Sequence, residues 1–235
     1  MVQINMKEGG TRVVPSFVLC GILLRMKERF KYWQFIFYLP IYLVFFFLAE
    51  RTVSDVTIIN IPFDDKIPFI PEFIIPYFLW FPFMLAAIIY VFFKDKKEFF
   101  AMAWNLIIGM SLFIVVSFVF PNGLNLRVES STDSIFVWMV EYLHNIDTPT
   151  NVLPSIHVFN SFACGVSFGR VLWRRSHKIT AIASYAMAVL ISISTMFVKQ
   201  HSVVDVVSAL AVSGLCFFLL RSLYKHEADD KGNNV

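Results

Sequence analysis

The run Phe99–Phe120, FFAMAWNLIIGMSLFIVVSFVF, contains no Asp, Glu, Lys or Arg. A helix of this length rises about 33 Å, enough to cross the hydrocarbon core of a bilayer. In hydrocarbon every backbone amide needs a partner within its own segment, so the run predicts a membrane-crossing helix. Similar runs lie on both sides of it. Upstream are Trp33–Leu48 and Phe73–Phe93; downstream are Ser155–Trp173, Ile179–Val198 and Ser202–Leu220. The fold class expected is therefore all-α, a polytopic membrane helix bundle of about six transmembrane helices. Residues 1–32 would form a cytoplasmic or interfacial segment, 33–222 the six-span membrane domain, and 223–235 a cytoplasmic tail. Pro40, Pro76 and Pro82 fall in or near the starts of runs and predict kinks. Gly165 and Gly169 form a small-xxx-small pair suited to close helix packing.

Composition agrees. Of 235 residues, 57% are hydrophobic and 16% charged, whereas soluble domains average about 45–50% and 25%. The 27 phenylalanines exceed what a soluble core uses. A net charge of +3 gives no indication of a nucleic-acid partner. Cys20, Cys164 and Cys216 have no spacing that predicts a disulfide or a zinc site. Val13–Leu24 is apolar but short, contains Pro15, and precedes the cluster Arg25, Lys27, Arg29 and Lys31. It reads as a segment lying on the membrane surface rather than as a cleaved leader.

Orientation follows from the basic residues. With the N-terminus in the cytoplasm, six spans leave 16 of the 20 Lys and Arg inside and four outside: Arg51, Lys66, Arg127 and Lys199. This positive-inside bias puts both termini in the cytoplasm of a multi-pass cell-membrane protein. Two outer loops result, Glu50–Glu72 and Pro121–Pro154. The second contains SIFVWMVEYLHNI, too short to span and read as a capping helix. Both loops are expected to pack as a lid over the outer helix ends.

Three polar patches then converge on the extracytoplasmic face: Arg127 after the third span; Pro154, Ser155 and His157 opening the fourth; Lys199, His201 and Asp205 at the turn into the sixth. His201 and Asp205, four apart, share one helix face. A carboxylate there can hold one imidazole nitrogen and leave the other free as nucleophile or base. Ser155 at a helix start, with free amides around it, makes an anion site beside His157. Arg127 and Lys199 supply cations for a phosphate-type ligand. His144 in the outer loop and His177 and His226 in basic clusters read as surface residues. Asp64, Asp65 and Glu72 receive no role.

These patches resemble the type 2 phosphatidic acid phosphatase (PAP2) superfamily, which includes lipid phosphotransferases and vanadium haloperoxidases. Its motif Pro-Ser-x-His is met by Pro154, Ser155, Ile156 and His157; its motif Ser-Arg-x5-His-x3-Asp by Ser194, His201 and Asp205, with Thr195 in place of the Arg. Of its Lys-x6-Arg-Pro motif only Arg127 remains, with Phe120 at the Lys position and Val128 at the Pro. Ile156 between Ser155 and His157 is closer to the inositol phosphorylceramide synthase branch. The resemblance implies a lipid phosphate substrate and no metal or cofactor. It implies His201 as nucleophile oriented by Asp205, His157 as acid and base, and Arg127, Ser155 and Lys199 as substrate-binding residues. The expected activity is a lipid phosphate phosphatase acting through a phosphohistidine, with headgroup transfer to an alcohol as the alternative.

Overall fold

The computed structural model describes residues 2–4, 12–14, 16–52, 55–128 and 134–233, with side chains over 34–52, 55–128 and 134–222. The chain divides into two compact units, Met1–Val44 and Phe45–Val235.

In the first unit, strands β1 (Val2–Ile4) and β2 (Arg12–Val14) form an antiparallel pair. Helix α1 begins in this unit and runs over Ser16–Thr52 with Pro40 inside it. The surface segment expected over Val13–Leu24 is thus, from Ser16 on, part of the same helix as the first span. Six of the eight residues between Leu24 and Trp33 are Arg, Met, Lys or Glu, good helix formers, and no Gly or Pro interrupts the stretch.

The second unit is a helix bundle. Its elements are α2 (Ile74–Phe78), α3 (Trp80–Lys94), α4 (Lys96–Val119), α5 (Ile135–Ile146), α6 (Ile156–Arg174), α7 (Lys178–Phe197) and α8 (Val203–Asn233). Five helical stretches among the described residues are long and apolar enough to cross a membrane: Gln34–Thr52, Pro71–Lys94, Lys96–Val119, Lys178–Phe197 and Val203–Ser222. Proline explains the break in the second of these. Pro82 has no N–H to donate, and α2 gives way to α3 at Leu79.

The expected fourth span is the exception. It forms α6, whose 19 residues are long enough to cross but too polar to qualify by composition. The reason is its position. Helices α3, α4, α7 and α8 all pack on it, and from Ile156 to Leu172 no residue of it is exposed. A helix enclosed by protein has no lipid-facing stripe, so Asn160, Ser161, Gly165, Ser167 and Gly169 replace bulky apolar residues. By contrast, α3 turns Phe81, Leu85, Ile89 and Phe93 outward at four-residue intervals, a face made for lipid.

Close packing at the centre depends on the predicted glycine pair. A Cβ on Gly165 would stand 2.6 Å from the Ala188 Cβ, and one on Gly169 would stand 2.4 Å from the Tyr185 ring. The gap left at Gly165 lets the Ser184 hydroxyl of α7 donate to the Gly165 carbonyl at 3.1 Å.

Both loops at the α6 start are tied down. Strand β3 (Thr57–Ile58) pairs in parallel with β4 (Asn122–Gly123). The Asn122 side-chain oxygen accepts from the amides of Val152 and Leu153, fixing the approach to Ser155. Helix α5, about 18 Å long, lies over this end and buries Val140 and Leu143 against Ile74, Tyr77 and Val198. This is the capping arrangement its sequence predicts.

Candidate active site

Ser155 caps α6: its hydroxyl accepts from the Val158 amide, and its own amide donates to the Asp205 carbonyl at 3.4 Å. The first contact starts the helix; the second ties that start to α8. Two residues on, His157 faces His201 across the α6–α8 packing, with Nδ1 of His157 3.3 Å from Nε2 of His201. On its other side His201 Nδ1 lies 2.9 Å from Asp205 Oδ2, the i,i+4 contact expected of a helix start. Asp205 Oδ2 also accepts from the Ser202 amide at 3.0 Å. His157 Nε2 in turn lies 3.0 Å from the Tyr77 hydroxyl, and its ring packs on Tyr77 and Trp80 with centroids 4.8 and 4.5 Å away.

Hydrogen-bond bookkeeping fixes most of the protons in this chain. The Asp205 carboxylate can only accept, so His201 donates through Nδ1. In a neutral His201 the lone pair then sits on Nε2, and His157 must donate to it through Nδ1. Only the Tyr77 link is open. Its hydroxyl donates when His157 is neutral and accepts when His157 is an imidazolium. The chain Asp205–His201–His157–Tyr77 therefore accommodates two protonation states of His157 without any heavy atom moving.

The two expected cations are placed differently. The Arg127 guanidinium donates through Nη1 to the His144 carbonyl at 2.6 Å and through Nη2 to the Asp147 carbonyl. It thus ties off the C-terminal end of α5, while its Nε has no acceptor among the described residues. Burial lowers the Arg127 pKa, with Asp147 and Tyr77 opposing. Lys199, with a left-handed backbone at φ 59°, donates to the carbonyls of Asp64 at 3.0 Å and Ile67 at 2.6 Å. Burial lowers its pKa too, against the pull of Asp64 and Asp65. Both cations brace loops around the site, and neither is seen bonding to the histidines.

Several residues that sequence reasoning passed over prove central. Asp64 is buried. Its Oδ2 accepts from the Ile61 amide at 2.8 Å and the Ser202 hydroxyl at 2.6 Å, and its Oδ1 accepts from the Val203 amide at 2.8 Å. A carboxylate from a distant loop thereby holds the first turn of α8. Asp65, next in the chain, is exposed; only the fold distinguishes them. His144, read as a surface residue, donates to the Val198 carbonyl from Nε2 at 3.1 Å. Asp147, the α5 cap, has its pKa raised by burial, with His201 pulling it down, which puts it within the electrostatic reach of the pair. Trp80 Nε1 and the Gln200 amide nitrogen are buried without partners among the described residues. His177 is exposed at the α7 start, and the His226 side chain lies outside the described residues.

The model of one family matches this arrangement, over residues 128–228. It is the model of the PAP2 superfamily. The matched segment contains Ser155, His157, His201 and Asp205, the residues whose spacing resembles the family's histidine motifs. Asp64, Tyr77, Trp80 and Arg127 lie outside it. No curated protein and no solved structure matches the chain. The match to the PAP2 superfamily supports phosphatase- or phosphotransferase-type chemistry on lipid phosphates.

Proposed function

We propose that this protein is a lipid phosphate phosphatase that works through a phosphohistidine at the extracytoplasmic membrane face. The carrying observation is the directed chain in which Asp205 occupies Nδ1 of His201 and leaves Nε2 as the nucleophile. That lone pair attacks phosphorus as the bond to the lipid alkoxide breaks. The alkoxide takes the Nδ1 proton of His157, which enters as imidazolium and leaves neutral. Water then gives a proton back to Nδ1 and attacks the phosphohistidine, releasing phosphate and restoring both rings. Tyr77 serves His157 in both states. In the resting arrangement the two imidazoles touch, so the phosphate displaces their mutual hydrogen bond when it binds.

One observation favours the second reading, transfer of a headgroup phosphate to an alcohol. Arg127 and Lys199 are engaged with backbone carbonyls, which leaves the first-turn amides of α6 and the Trp80 indole N–H to face the equatorial oxygens. Neutral donors suit a phosphodiester monoanion better than a monoester dianion. In this reading Lys199 and Arg127 act as loop braces.

Purified protein incubated with phosphatidate, sphingosine phosphate and prenyl diphosphate tests the first reading by phosphate release, with His201→Ala as control. Release that persists in the variant, or none from the wild type, removes it. A phosphodiester lipid given with a labelled lipid alcohol tests the second: labelled phospholipid without free phosphate selects transfer.

A further inference from the structure

At the opposite end of the bundle stands a charge cluster that the histidine chemistry does not use. Glu98, at the start of α4, is buried. Its Oε2 takes Arg174 Nη2 at 2.9 Å, and its Oε1 is shared between Arg170 Nε at 3.6 Å and Arg221 Nη1 at 3.5 Å. Asp95 adds one contact to Arg174 at 2.9 Å. A cavity of about 530 Å³ opens beside the cluster, and Lys97, Arg174 and Arg221 line it with Asp95 and Glu98.

The charges do not balance. Among the described residues, three guanidiniums and Lys97 meet two carboxylates. Each guanidinium carries five N–H donors, yet Arg170 and Arg221 share one oxygen at long range. Arg170 Nε is buried without a hydrogen-bond acceptor among the described residues. Guanidinium donors in excess of carboxylate acceptors, with Arg174, Arg221 and Lys97 lining the cavity, suit an anion. The cavity wall also has an apolar part, Ala101 and Phe218, and Phe218 is 73% exposed on the face that meets lipid. A ligand with an anionic head and a hydrocarbon body meets both surfaces at once.

We propose that this cavity binds a phosphate-bearing anion, the headgroup of an acidic membrane lipid. The site is separate from the histidines. His157 and Arg174 stand near opposite ends of α6, about 26 Å apart along the helix axis. By the positive-inside rule it belongs to the inner leaflet, where anionic lipids meet basic pockets between helices.

Thermal unfolding of the detergent-purified protein tests this, with phosphatidylglycerol, phosphatidylcholine or inorganic phosphate added to wild type, to Lys97→Gln and to Lys97→Gln/Arg221→Gln. The variants keep the Arg174–Glu98 pair, and Lys97 is exposed, so the single variant tests the idea even where the double one folds poorly. Phosphatidylglycerol at a hundredfold excess over its Kd is expected to raise the wild-type midpoint by roughly 5 °C or more. The single variant loses part of that rise and the double variant most of it. A rise with phosphatidylglycerol alone supports the lipid as ligand; an added rise with inorganic phosphate, lost in the variants, supports the phosphate group as the recognised feature. A wild-type rise no larger than with phosphatidylcholine, or one that survives unchanged in both variants, overturns the proposal.

Discussion

Replacing Asp64 by Asn tests whether a loop carboxylate holds the start of α8. The Ile61 amide bonds to one carboxylate oxygen and the Val203 amide to the other. An amide side chain has a single acceptor oxygen, so one of these two N–H groups faces an NH2 whichever way the Asn is turned. The Ser202 hydroxyl can rotate to accept and escapes the conflict. One orphaned buried donor costs about 1–3 kcal/mol, and losing the negative charge at the α8 start adds about 0.3–1 kcal/mol. The expected loss is thus about 2–3 kcal/mol for Asp64→Asn, and more for Asp64→Ala, which orphans both amides. Turnover should fall further than stability alone explains, because Ser202, His201 and Asp205 sit on the turn that loosens, and displacement by about 1 Å can cost roughly a hundredfold. The assay pairs thermal melting with phosphate release from the lipid panel, using exposed Asp65→Asn as the control. If Asp64→Asn melts and turns over like Asp65→Asn, the α8 start is held by something else and the reasoning fails.

Other outcomes follow from the same contacts. Asp205→Asn replaces the carboxylate beside His201 Nδ1 with a neutral amide that can also turn its NH2 to the ring, and kcat is expected to fall about a thousandfold or more with the fold retained; a loss under tenfold would refute the orienting role. Tyr77→Phe removes the partner of His157 Nε2 in both protonation states, and a fall of about tenfold or more in kcat with KM little changed is expected, against an unchanged kcat if Tyr77 only packs. Gly165→Val forces a branched side chain where a Cβ already meets Ala188 at 2.6 Å, and a destabilisation of about 1–3 kcal/mol should appear as a lowered melting point. Burial lowers the His144 pKa, the bond to Val198 opposes this and Arg127 adds to it. The unfolded chain therefore takes up the proton first, and stability from this site, full above about pH 6.5, declines as pH falls through that value. Between pH 7.5 and 5.5, His144→Gln should lose less of its melting temperature than wild type does; an equal loss would place the acid sensitivity elsewhere.

The fold was legible where lipid reads the residues. Phe99–Phe120 becomes α4 because hydrocarbon demands an uninterrupted apolar helix, and the 12-residue α5 caps the end because it is too short to cross. The His201–Asp205 contact was legible because i,i+4 spacing brings two residues together at a helix start. What the spacing does not carry is contact between segments far apart in sequence. Asp64 meets Ser202 across 138 positions, and Tyr77 meets His157 across 80. Lys199 and Arg127 have the right charge at the right end of the bundle, yet unbonded carbonyls of the first loop and of the α5 terminus are nearer acceptors. No local pattern decides which acceptor a long side chain takes.

The helix that reads least like a membrane span is the one that carries the site, and one physical cause accounts for both facts. A histidine facing lipid would be desolvated without a partner, so His157 needs a helix walled by protein. Walling α6 on four sides replaces its lipid contacts with neighbouring helices, whose approach requires Gly165 and Gly169 and permits Asn160 and Ser161. Each such residue lowers the hydropathy of α6. Helix α8 meets the problem differently: it places Asp205 in its first turn with His201 just before the helix, both buried, and keeps Leu215, Phe218 and Leu219 facing outward further along. Hydropathy therefore registers α8 as a span and passes over α6, although the proposed reaction draws a residue from each.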